Sequence, residues 1–127
     1  MTESPKKVLI IEDDDALRSV LADALRAEYI DAIEAKDGEK GLMAAEQSLP
    51  HLILLDILMP RMDGRAVFRA IRAHKDLQHV PVSFLTNLSD LGSISEALGG
   101  EKADYIVKSD WSIDEIVRHV KEKLGTK

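Results

Sequence analysis

The chain has 127 residues, 45% of them hydrophobic, and a formal net charge of −6, which suits one compact domain able to bury a core without disulfides or metal staples. Cysteine is absent, which excludes disulfides, thiolate zinc sites and cysteine nucleophiles. The acidic balance argues against a nucleic-acid face, which needs clustered Lys and Arg.

Met1 to Lys7 lacks the apolar centre of a signal peptide, and no run approaches the roughly 20 apolar residues of a membrane span. A cytoplasmic protein with neither membrane nor nucleic acid among its partners is expected. After Leu124 only Gly125, Thr126 and Lys127 follow, so the chain either acts alone or is a piece of something longer.

Short β-type runs alternate with helical patterns, the signature of repeated βα units feeding a parallel sheet. Five strands are expected, near Lys7 to Ile11, Ile30 to Ala35, Leu52 to Leu55, Pro81 to Leu85 and Asp104 to Val107, with five helices over both faces. The first helix carries the stripe Leu17, Val20, Leu21, Ala24 and Leu25. The last carries Ile113, Ile116, Val117, Val120 and Leu124, again at helical spacing. Ser112 with Glu115 forms a capping box, and Asp37 caps the second helix. Asp31 and Glu34 suit an edge position for the second strand. Gly99 and Gly100 mark a turn before the last strand.

The residues at or just past the strand ends are Glu12 and Asp13, then Asp56, Thr86 and Lys108. In a sheet wound 2-1-3-4-5 the first and third strands are neighbours, so their acids meet at the switch point, where open α/β sheets bind ligands. Clustered carboxylates repel by roughly 4 kcal/mol per pair at 4 Å in an effective dielectric of 20, and therefore need a cation. Oxygen-only donors favour a hard ion, and two carboxylates with waters and a phosphate describe Mg²⁺ better than Ca²⁺. Lys108 adds a second positive charge, and the Thr86 hydroxyl can donate to a phosphoryl oxygen. The set matches phosphoryl transfer to a carboxylate nucleophile.

These residues carry a resemblance. The pair Glu12 and Asp13, the segment from Leu54 to Gly64 around Asp56, Thr86, and Tyr105 three residues before Lys108 resemble the receiver domain of two-component response regulators over nearly the whole chain. The resemblance implies a flavodoxin-like single receiver domain over 1–127, ordered over about 6–124. It implies that Asp56 accepts a phosphoryl group from a histidine kinase or phosphotransfer protein. It further implies that Asp13 and Asp56 bind Mg²⁺ with the Leu58 carbonyl, that Glu12 acts through water, and that Thr86 and Lys108 contact the phosphoryl group. Tyr105 would report the state by changing rotamer, and the fourth helix, fifth strand and fifth helix would meet a downstream protein. Such a domain is a switch that catalyses at most its own phosphorylation and dephosphorylation.

Two positions depart from the family's pattern. Ser109 replaces the usual proline after Lys108, which leaves a cis peptide there open. Asn87 replaces a small residue after Thr86. Leu58 and Leu88 occupy the positions that tune dephosphorylation, and two aliphatic side chains imply slow loss of phosphate. Two other readings stand beside the switch. One is a pseudo-receiver that only binds protein. The other is a phosphatase with an aspartate nucleophile, against which Leu58 stands where a second acid is needed. Asp14 and Asp15 read as solvent-facing or first-turn acids, the four histidines as surface or loop residues, and Arg61, Arg65, Arg69 and Arg72 as a solvated helix face. Trp111 reads as core-edge packing or part of a partner surface, and Tyr105 by itself as a packed aromatic.

Overall fold

The structure, a computed structural model, describes residues 4–59, 62–87 and 104–125. Five strands, β1 (Lys7–Ile11), β2 (Asp31–Ala35), β3 (Leu52–Asp56), β4 (Val82–Thr86) and β5 (Asp104–Val107), form one parallel sheet in the order β2-β1-β3-β4-β5. Among the described residues four helices pack on it: α1 (Asp15–Arg26), α2 (Gly38–Ser48), α3 (Gly64–Ala73) and α4 (Ile113–Leu124). The five helices expected from the sequence are thus seen as four. The remaining one, with the Gly99–Gly100 turn, Leu88 and Arg61, lies outside the described residues.

Strand alternation splits the core into two layers, because successive side chains point to opposite faces. Val8, Ile10, Leu52, Leu54, Leu85 and Ile106 face Leu21, Ala22 and Leu25 of α1 and Ile116 and Val120 of α4. Leu9, Ile11, Ile53, Leu55 and Phe84 face Ala45 of α2 and Val67, Phe68 and Ile71 of α3. Val8–Ile11 of β1 and Leu52–Leu55 of β3 are all apolar because both faces are covered, and each fully buried Leu or Ile contributes about 2 kcal/mol. On the α2 side the fit is close: a Cβ at Gly41 would stand 2.5 Å from Ile11 Cδ1.

Every helix follows a strand, so all four helix N-termini gather at the rim where the strands end. Each is capped by a side chain. Asp14 accepts from the N–H groups of Ala16 and Leu17, Asp37 from Lys40, and Asp63 from Arg65 and Ala66. Ser112 and Glu115 close the expected capping box.

Two strand ends differ from the sequence reading. Asp56 is the last residue of β3, paired with Leu85, and Thr86 the last of β4, paired with Val107. Strand length here is decided by the neighbour that completes the ladder, which hydrophobicity does not reveal. β2 starts at Asp31 and β4 at Val82, each one residue later than expected.

Candidate metal centre

The end of β1 delivers Glu12 into the interior and Asp13 to the surface. Glu12 is 0% exposed, with its N–H, carbonyl and Oε2 hydrogen-bonded and its Oε1 held by an ion pair alone. Its N–H donates to the Ala35 carbonyl at 3.1 Å, its carbonyl accepts from Arg18 at 2.8 Å, and its Oε2 accepts from the Asp14 N–H at 3.0 Å. Its Oε1 meets Lys108 Nζ at 2.6 Å. A buried carboxylate needs such pairing, since an uncompensated charge in a low-dielectric interior is very costly.

Asp56, 3% exposed at the end of the neighbouring strand, has Lys108 Nζ at 3.1 Å from its Oδ1. Oxygen atoms of Glu12, Asp13 and Asp56 all lie within 4.8 Å of one another. Burial, aided by hydrogen bonds with the Asp13 and Glu12 carboxyls and by the Glu12 charge, pushes the Asp56 carboxyl up to about 8, against the pull of Lys108. Burial also acts to raise Asp13, but hydrogen bonds with Asp56 and Glu12 and the charge on Lys108 outweigh it and hold Asp13 below the usual range. Desolvation works to lower Lys108, and the two carboxylates overcome it and raise it. Three acids close together thus retain a proton that one lysine cannot displace, which is the electrostatic mark of a site short of positive charge. The donors are all carboxylate oxygens, the chemistry of a hard divalent cation, and they fit Mg²⁺.

Thr86 is buried at the end of β4 with its hydroxyl donating to the Asn87 carbonyl at 3.1 Å. Leu58 follows β3 and is 52% exposed. Tyr105 lies on β5 opposite Phe84, their ring centroids 5.8 Å apart, and packs against the α2–α3 layer of the core. No cis peptide bond occurs among the described residues, so the bond between Lys108 and Ser109 is trans. Trp111 packs against the α1–α4 layer with its ring edge on His119, centroids 5.2 Å apart, the core-edge placement.

The α3 N-terminus fits tightly against the end of β3. The Gly64 N–H donates to the Ile57 carbonyl at 2.8 Å. A Cβ on Gly64 would stand 2.4 Å from the Asp56 carbonyl oxygen and 2.7 Å from Ile57 Cα, so only glycine lets the helix approach this closely.

Several residues around the site were not visible as partners in the sequence. Asp14 is the α1 cap and the donor to Glu12, beyond the first-turn role expected of it. Arg18 binds the Glu12 carbonyl. Of the arginine strip, Arg65 pairs with Asp63 at 3.0 Å, while Arg72 lies 4.7 Å over the Phe68 ring and donates to the Val80 carbonyl. Of the histidines, His51 accepts from the Lys7 N–H at 2.9 Å, and His119 meets Asp104 at 2.7 Å. A capping residue followed by helical spacing was the signal available for Asp14. Arg18 and His119 gave none.

An open parallel sheet in the order 2-1-3-4-5, with three carboxylates and one lysine gathered at its rim, is the flavodoxin-like arrangement. The model of the response regulator receiver domain family matches residues 8–121, and the chain belongs to that family. It is 37% identical over 103 residues to the probable transcriptional regulator ycf27 of Porphyridium aerugineum, covering 81% of this chain and 42% of that protein. It is 32% identical over 119 residues to the DNA-binding response regulator MtrA of Mycolicibacterium smegmatis, covering 94% of this chain and 50% of that protein. The chain therefore spans about half, or less, of the length of these relatives. Among solved structures it is similar to the receiver domain of sensor histidine kinase PA1611 from Pseudomonas aeruginosa PAO1. That match has a TM-score of 0.83 and 26% identity, and covers 96% of this chain and 99% of that one. That receiver domain was solved with a magnesium ion coordinated in its active site cleft.

Proposed function

We propose that the protein is a phosphoacceptor switch in which Asp56 takes a phosphoryl group from a phosphohistidine on a kinase or phosphotransfer protein. The observation that carries this reading is the position of Asp56, held at a strand end 3.1 Å from Lys108 in a cup shared with Glu12 and Asp13. An Asp56 oxygen attacks phosphorus, the P–N bond breaks, and the imidazole nitrogen keeps the electron pair and takes a proton. The product is an acyl phosphate on Asp56. Lys108 follows the negative charge onto the phosphoryl oxygens, and the Thr86 hydroxyl, released from the Asn87 carbonyl, donates to one of them.

Asp13 and Asp56, with the Leu58 carbonyl and Glu12 through water, would hold Mg²⁺, which when bound neutralises charge on the transferring group. The fit of an all-oxygen donor set supports this, as does the magnesium ion in the similar Pseudomonas domain. Movement of Thr86 opens space beside β5 for Tyr105, and the surface of β5 and the last helix shifts between two packings that a downstream protein reads. The protein acts on no substrate but its own aspartyl phosphate, and two aliphatic residues at Leu58 and Leu88 slow its loss. A cytoplasmic location suits a kinase-fed switch, and no helix among the described residues is long and apolar enough to cross a membrane.

The test is incubation with Mg²⁺ and acetyl phosphate followed by intact mass. A gain of one phosphoryl group that disappears in Asp56→Asn supports the reading, and no Asp56-dependent gain overturns it. Multiple turnover of a phosphomonoester would instead favour a phosphatase.

A further inference from the structure

Arg18 on α1 carries a full charge, yet its side chain is 14% exposed. Its guanidinium is shared among three segments. Nη1 donates to the Glu12 main-chain carbonyl at 2.8 Å, Nη2 to Asp15 Oδ1 at 2.6 Å, and Nε stands 3.5 Å from Glu34 Oε1 on β2.

The carbonyl it binds belongs to the peptide that joins Glu12 to Asp13. That unit is planar, so a charge-assisted hydrogen bond to its oxygen fixes ψ of Glu12 and φ of Asp13 together. Those two angles set the direction in which the Asp13 side chain leaves the backbone. Glu12 is immobilised at both carboxylate oxygens by Asp14 and Lys108, whereas Asp13 is exposed and takes its aim from the peptide behind it.

We infer that Arg18 is a positioning residue for the divalent-cation site, holding the Glu12–Asp13 peptide so that the Asp13 carboxylate points into the cup. The inference rests on the phosphoacceptor reading for the identity of the cation. A positioning role and a purely electrostatic one predict opposite signs. Removing a cation from the neighbourhood of Mg²⁺ tightens metal binding, while releasing the peptide weakens it. Asp15 and Glu34 already balance the charge of Arg18, so the second effect wins.

The test is calorimetric titration of the full chain with Mg²⁺ beside thermal melts of the same samples. Arg18→Ala is expected to weaken Mg²⁺ binding roughly tenfold, the range seen when supporting partners of metal ligands are lost. Arg18→Lys keeps the charge but offers a compact ammonium in place of the planar fork, and is expected to remain weakened. Asp15→Asn leaves the bond to Glu12 in place and is expected to bind as the unaltered chain does. Arg18→Ala or Arg18→Lys binding Mg²⁺ at least as tightly as the unaltered chain overturns the inference, as does an equal loss in Asp15→Asn. If Arg18→Ala fails to fold, Arg18→Lys decides alone. An unaltered chain that binds no Mg²⁺ would instead bring down the phosphoacceptor reading beneath it.

Discussion

Lys108 is closer to Glu12 than to Asp56: its Nζ stands 2.6 Å from Glu12 Oε1 and 3.1 Å from Asp56 Oδ1. The lysine therefore neutralises the fully buried acid first. Lys108→Ala leaves Glu12 buried without a counter-charge, which costs roughly 3 kcal/mol when one partner of such a pair is removed. The same change removes a cation that competes for the cup. Urea denaturation is expected to show the lower stability and Mg²⁺ titration a higher affinity; a weaker Mg²⁺ affinity would show that the lysine does not compete with the metal.

The Asp56 carboxyl gives the metal-free protein a defined pH response. Its folded value of about 8 lies above the ordinary 3.8, chiefly through burial and then through its two acidic neighbours. A group raised in this way contributes stability that is complete below about pH 4 and is lost as pH rises through about 8. Melting temperatures without metal should therefore fall across that window, and Asp56→Asn should flatten the fall and melt higher at about pH 8. Because Mg²⁺ must displace the proton, its stabilising effect should be larger at about pH 8 than at about pH 5.5. Equal Mg²⁺ stabilisation at the two pH values would contradict this.

Gly64→Ala places a methyl group where the Asp56 carbonyl oxygen stands 2.4 Å away. Backbone on both sides must move apart, and overpacking of this kind costs about 1–3 kcal/mol. The damage falls directly on β3 beside Asp56. Both the melting temperature and the rate of Asp56 phosphorylation by acetyl phosphate should drop, whereas an exposed control such as Glu39→Ala should change neither.

Asp104 ties together three elements far from the cup. It accepts from Ser83 on β4, meets His119 of α4 at 2.7 Å, and has Lys123 at 3.9 Å. Asp104→Ala leaves the Ser83 hydroxyl, 1% exposed, without its acceptor, at a cost of about 1–3 kcal/mol. Chemical denaturation should register that loss while the extent of Asp56 phosphorylation stays unchanged.

The sequence made the site legible because its parts sit at strand ends, where an acid or a lysine interrupts an apolar run. Glu12, Asp56 and Lys108 are each such an interruption, and the structure brings them together. The edge position of β2 was readable from Asp31 and Glu34, and the last helix from its capping box. What stayed hidden was pairing across the fold. Nothing near Arg18 in the chain marks the Glu12 carbonyl as its acceptor, and Ser83, Asp104 and His119 share no periodicity. Among the consecutive acids Asp13, Asp14 and Asp15, only the backbone shows which one caps α1. Strand ends moved for the same reason, since Asp56 and Thr86 extend their strands only because Leu85 and Val107 stand beside them.

The acceptor's surroundings come from stretches of chain that meet only once β1, β3, β4 and β5 have all found their register. A half-formed molecule, however compact, would have an aspartate without its lysine or its companion acids. On the phosphoacceptor reading, competence to take up a phosphoryl group would in this way be a certificate of finished folding.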